Sequence, residues 1–158
     1  MKSQWRKDMV YEIISIRKKK NPCPVFSHAD AFNLVKQYQN LQKEQCVLIT
    51  LNAAYKPISV SIISIGAIDT TVVRPREVFI RAFQDKASSI IICHNHLSGY
   101  LVASPEDKKM AERMYDVGEF VGIRVLDSII FSKDGYASLR KDGYIRRSKK
   151  MIKKLKQQ

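Results

Sequence analysis

Residues 88–107 read SSIIICHNHLSGYLVASPED, and the fold turns on them. Ser88 to Cys93 is a short, almost continuous apolar run, the pattern of a strand covered on both faces in the middle of a sheet. His94 and His96 close that run, and the chain has only three histidines. In extended backbone, side chains two residues apart project to the same side. Both imidazoles therefore face one point, while Cys93 and Asn95 point away. Further on, Ser104-Pro105-Glu106-Asp107 supplies an N-cap, a proline at the first helical position and an acid at the third. That signature opens a helix running to about Gly118 or Gly122.

Working outward, residues 123–132 (IRVLDSIIFS) read as a strand, and a shorter one follows near 136–139 after the turn at Gly135. Toward the N-terminus, Pro75 begins a helix through EVFIRAFQDK, preceded by two β-branched strands at 46–52 and 57–68. Ser27, with Asp30 three residues later, caps a helix over about 28–42 whose apolar positions are Ala31, Leu34, Val35, Tyr38 and Leu41. This helix is expected to run straight into Glu44. Residues 9–17 form a possible further strand, with Pro22 and Pro24 in a spacer after it. Helices and strands alternating around one sheet make an α/β layered domain. The expected division is a basic segment at 1–22, the domain at 23–142 and a basic tail at 143–158.

The two histidines also have a chemical reading. Histidine is a frequent zinc ligand, and a catalytic zinc commonly takes three protein ligands with a fourth position open for water. Asp107 is the candidate third ligand, brought back by the loop that leaves the strand. Each part has a plainer explanation as well. Ser104 and Asp107 satisfy a capping box with no metal present, and a His-x-His pair alone is a weak signal. Glu44, in KEQCVLI, has its own carboxylate free to act as a general base toward a zinc-bound water, or is a plain helix-terminal residue. Glu77 in PREVF is the second acidic candidate and reads first as helix-end electrostatics.

His-x-His, seven residues, Ser, two residues, Asp resembles the JAMM (MPN-plus) metalloprotease signature, and residues 94–107 fit its spacing throughout. HNHLSG at 94–99 resembles the HNHPSG of the RadC-like branch. VVRPREVF at 72–79, ISIGAI at 63–68 and VLDSII at 125–130 resemble other segments of that branch. The likeness spans about 28–142. It implies a JAB/MPN-like α-β-α domain with a mixed central sheet, an architecture shared with cytidine deaminases. It also implies one zinc per chain on His94, His96 and Asp107, and cleavage of a peptide or isopeptide bond. In that scheme zinc lowers the pKa of its water toward about 7 and Glu44 takes the proton as the carbonyl is attacked. Ser104 donates its hydroxyl to the developing oxyanion. The chain departs from the pattern at Leu97, where the family usually has proline, and at the apolar stretch 100–103, which puts apolar side chains at the expected cleft mouth.

The length of 158 residues and a hydrophobic content of 45% suit one globular domain. The first twenty residues mix charge into every apolar run, so they read neither as a signal peptide nor as a membrane span, and a cytoplasmic protein is expected. Cys23, Cys46 and Cys93 lack a C-x-x-C spacing, which speaks for reduced thiols over disulfides or a cysteine zinc knuckle. The net charge of +13 lies wholly in the ends: +5 over residues 1–20 and +8 over 140–158, with twelve charges of each sign between. Basic ends on a neutral body suit an anionic partner such as nucleic acid or acidic protein, or a solvated tail. The alternative function is thus a nucleic-acid-associated accessory module, of the DNA-repair or mobile-element kind, with an inert or structural metal site. A zinc nucleobase deaminase is excluded, since H-x-E and P-C-x-x-C are absent.

Overall fold

The computed structural model describes residues 22–39, 42–65 and 73–145. The β-branched runs become strands β1 (Gln45–Leu51), β2 (Pro57–Ile65), β3 (Ser89–Asn95), β4 (Arg124–Ser132) and β5 (Gly135–Ser138). The amphipathic stretches become α1 (His28–Val35), α2 (Pro75–Gln84) and α3 (Pro105–Val121). The five strands form one sheet in the order β2-β1-β3-β4-β5, so β3 is central. It pairs antiparallel with β1 and parallel with β4, which makes the sheet mixed.

Strand alternation distributes the apolar residues between two cores. Val47, Ile49 and Leu51 of β1, with Ile91 and Cys93 of β3, pack beneath Ala31 and Val35 of α1. Cys46 and Leu48, with Ile90 and Ile92, face the other way onto Val78, Phe79 and Ala82 of α2 and Met114 of α3. The fold is therefore the expected α-β-α sandwich of layers. β3 is buried on both faces up to Cys93, as its unbroken apolar run requires.

One expected boundary moves. The first helix does not reach residue 42: α-geometry stops at Val35, and a 3-10 turn at Lys36–Tyr38 follows. The apolar rhythm survives, since Tyr38 is buried, but the tighter turn delivers it. Glu44 is consequently carried by the approach to β1 and not by a helix end. β2 is described as far as Ile65, and the remainder of the expected strand, to 68, lies outside the described residues. The possible strand at 9–17 and most of the two basic ends lie outside the described residues. Of the cysteines, Cys46 and Cys93 are buried and Cys23 is exposed. No helix among the described residues is long and apolar enough to cross a membrane.

The end of α3 is set by close approach. Gly122 ends it in the left-handed region at φ 77°. One turn earlier, a Cβ on Gly118 would meet the Ile123 carbonyl oxygen at 2.5 Å and Val125 Cγ2 at 2.9 Å. Overpacking of this kind costs about 1–3 kcal/mol, more than the helix-propensity gain of about 1 kcal/mol for replacing glycine by alanine. Gly118→Ala is expected to lower the urea midpoint at unchanged slope; a midpoint at or above that of the wild type would contradict this packing.

Candidate metal centre

The register of the sheet places the acidic and imidazole groups together. Cys46 of β1 lies opposite His94 of β3, the last backbone pair of that ladder. Extending the antiparallel register two residues sets Glu44 across from His96, on the face that carries α2 and α3. His94 and His96 share that face with Ile90 and Ile92. Beyond the strand, the His96 amide donates to the Phe131 carbonyl at 2.9 Å, and the Gly99 amide donates to the His96 carbonyl at 3.2 Å. The chain then turns outward and returns at the N-terminus of α3.

His94 Nε2 lies 2.9 Å from His96 Nε2 and 3.1 Å from Asp107 Oδ1, and His96 Nε2 lies 3.6 Å from Asp107 Oδ2. One ligand atom from each residue falls within 4.8 Å of the others, a group that could hold a metal ion. The three side chains are mostly buried. His96 Nδ1 lies 2.8 Å from the Tyr100 carbonyl oxygen, and a carbonyl can only accept. The proton is thereby fixed on Nδ1, and in the neutral ring the Nε2 lone pair faces the cluster, as metal ligation requires. His94 Nδ1 is buried with no partner among the described residues.

Asp107 combines the two readings that looked like alternatives. Its Oδ2 accepts from the Ser104 amide at 2.7 Å, and its own amide donates to Ser104 Oγ at 3.1 Å, completing the capping box. Its Oδ1 is turned to His94. Capping uses Oδ2, which also lies near His96, and leaves Oδ1 free to face His94. Burial would raise the Asp107 carboxyl, but bonds from His94 and His96, electrostatic attraction to His94 and the Ser104 amide outweigh it and hold it far below the ordinary carboxylate range. The neighbouring Asp107 carboxylate raises His96 above its usual 6.5 against the opposing effect of burial, helped by the Tyr100 carbonyl and the charge of Glu44.

Glu44 is half-buried, and its Oε1 lies 3.4 Å from the Leu97 amide. It thus stands at the edge of the cluster, 53 residues from Leu97 in sequence. Glu77 sits in the first turn of α2. Its charge is felt by Cys46, whose thiol is pushed up to about 12, chiefly by burial. Among the described residues, no hydrogen bond or ion pair joins the Glu77 side chain to the three clustered residues. Leu97, Tyr100 and Val102 are exposed at 44%, 75% and 80%, giving the loop beyond His96 the expected apolar lip.

A family model of RadC-like JAB domains matches residues 25–144. The chain belongs to the RadC-like JAB domain family. Curated relatives agree: a UPF0758 protein of Clostridium acetobutylicum is 38% identical over 122 residues, covering 77% of this chain and 53% of its own length. A UPF0758 protein of Caldanaerobacter subterraneus is 40% identical, covering 76% and 52%. One from Methanococcoides burtonii is 36% identical, covering 73% and 51%. The chain spans about half the length of these relatives. The RadC-like JAB match covers every strand and helix described above, as well as Glu44, His94, His96, Ser104 and Asp107.

One residue of this RadC-like site was not singled out in the sequence. Asn95, between the two histidines, is 1% exposed. A carboxamide at the end of an otherwise apolar central strand was the available signal, because a buried amide needs partners.

Proposed function

We propose that this RadC-like JAB domain is a zinc-dependent hydrolase of peptide or isopeptide bonds, with the metal held by His94, His96 and Asp107. The observation that carries the reading is the convergence of two imidazole nitrogens and one carboxylate oxygen, with the His96 tautomer fixed for ligation and a second carboxylate, Glu44, at the rim. Two neutral imidazoles and one carboxylate match the donor set of a catalytic zinc, which leaves a position open. When bound, zinc would polarise the carbonyl and make water acidic enough to react near neutral pH.

The side chains do the remaining work. Glu44 accepts the proton that water loses and later delivers it to the leaving amine, a general base and then a general acid. Ser104 Oγ accepts the Asp107 amide, which leaves its own hydrogen available for the oxyanion. Asp107 and Ser104 hold each other at the first turn of α3, so donor and ligand move as one unit. The exposed Leu97, Tyr100 and Val102 give the mouth an apolar contact surface for the substrate chain.

Tag-free protein purified without chelator, analysed for metal and then assayed on a panel of peptide and isopeptide substrates, tests the reading. About one zinc per chain with turnover supports it; a chain that takes up no zinc when supplied sinks it. Within this scheme Ser104→Ala keeps zinc and loses about 10²–10³ in kcat, the usual cost of removing one oxyanion donor. It also loses about 1 kcal/mol of stability with the cap. Ser104→Asp restores the cap and not the rate, which separates the two roles.

The second reading, a nucleic-acid-associated accessory module, rests on the charge of the ends. The last described residues anchor the C-terminal end: Ile145 packs on Ala111, Ile130 and Leu139, and Lys108 lies over the Tyr144 ring at 4.2 Å. Tyr144 and Ile145 thus lie beside the first turns of α3. Salt-sensitive DNA binding by the same sample, with no hydrolysis, would favour this reading.

A further inference from the structure

The carboxamide of Asn95 reaches across to β1 at the point where the β1–β3 backbone ladder stops. Its Oδ1 accepts from the Gln45 amide at 2.6 Å, and its Nδ2 donates to the Lys43 carbonyl at 3.1 Å. These two backbone groups lie on either side of Glu44. The orientation of the amide is fixed by its partners, since an N–H must donate and a C=O must accept. The side chain therefore continues the sheet by one further pair, with a carboxamide in place of a peptide group.

From this geometry we infer that Asn95 is a positioning residue that fixes the main chain on both sides of Glu44 and so sets where the Glu44 carboxylate stands against His94 and His96. The inference rests on the role given to Glu44 in the proposed hydrolase. Three features support it. Asn95 is buried on the face opposite the two histidines, so it holds Glu44 without occupying the reaction space. A carboxamide is the one side-chain group of this length that can donate and accept at once; aspartate lacks the donor and serine the span. Glu44 precedes β1 and lies outside the regular ladder, so the usual backbone pairing with β3 is not there to hold it. The clamp also joins the base to the ligands: Asn95 lies between His94 and His96, so any shift of β3 carries base and ligands together.

Amide hydrogen exchange by NMR on the full chain, with Asn95→Asp and Asn95→Ala beside the wild type, reads the clamp without a substrate. Asn95→Asp retains an acceptor for the Gln45 amide but sets a carboxylate against the Lys43 carbonyl. Exchange at the Gln45 and Leu97 amides is expected to rise at least about tenfold in both variants, with Ile90 to Cys93 unchanged and zinc uptake retained. Leu97 is the informative probe, because its amide points at Glu44 and not at Asn95. Unchanged exchange at Leu97, or a uniform rise along β3, would overturn the assignment. Should Asn95→Ala not fold, Asn95→Asp alone carries the test. On a substrate that the wild type cleaves, kcat should fall about 30-fold or more at constant KM, with no further loss when Asn95→Asp is added to Glu44→Gln. Additive losses in that double variant would also overturn it. A wild type without turnover but with the expected exchange pattern would remove the hydrolase reading and leave the clamp standing.

Discussion

His96→Ala is expected to bind zinc at least about 100-fold more weakly than the wild type, beyond the 10–100-fold typical of losing a group that merely supports a ligand. The imidazole it removes holds one of three converging donor atoms, and the pair left behind, His94 Nε2 and Asp107 Oδ1, would make a two-point site. Water or buffer must then fill two positions in place of one. Competition titration against a chromophoric chelator, on protein stripped and reloaded, gives the ratio. Equal affinity in wild type and variant would end the ligand assignment. The proton provides an independent check. Asp107 raises the His96 pKa in the metal-free protein, so His96 keeps its proton to a higher pH than an ordinary histidine does. Zinc must expel that proton. Affinity should therefore decline as pH falls through the raised value, starting above 6.5, and this dependence should be shallower in His96→Ala.

Glu44→Gln is expected to keep about one zinc per chain and to lose about 10²–10⁴ in kcat, the range a positioned general base supplies. Glutamine has the same length and can still meet the Leu97 amide through its carbonyl oxygen, so the lip of the site should keep its shape. The change removes the basic oxygen and little else. A loss confined to kcat at constant KM marks a group used in the transition state; a loss confined to KM would mean that Glu44 merely binds substrate. Full activity would transfer the base to another group, and Glu77 is the acid that would then be tested.

The elements whose signals are local were legible in the sequence. β3 announces itself by an apolar run ending in two histidines, and α3 by Ser-Pro-Glu-Asp, because strand burial and helix capping are decided within a few residues. The early end of α1 was not legible, since a 3-10 turn buries Tyr38 as well as a further α-turn would, and the apolar spacing cannot distinguish them. Asp107 seemed to require a choice between cap and ligand because a letter in a sequence does not show that one carboxylate can accept from the Ser104 amide and still present an oxygen to His94. Asn95 escaped notice because its partners, Lys43 and Gln45, lie 52 and 50 residues away. Glu44 was marked through family resemblance, and its place beside His96 follows from the β1–β3 register, a non-local property.

The three clustered donors come from a single strand-to-helix passage, residues 94–107, whereas Glu44 arrives on the approach to β1, 53 residues before Leu97. Closing a loop of about ten residues takes tens of nanoseconds and little entropy, while bringing in β1 requires the sheet itself. In the proposed hydrolase, chelation and turnover would therefore hang on different lengths of chain. A lineage that lost the fit between β1 and β3 would keep a metal-holding knot and shed its chemistry, and a census of bound zinc would count such a descendant as whole.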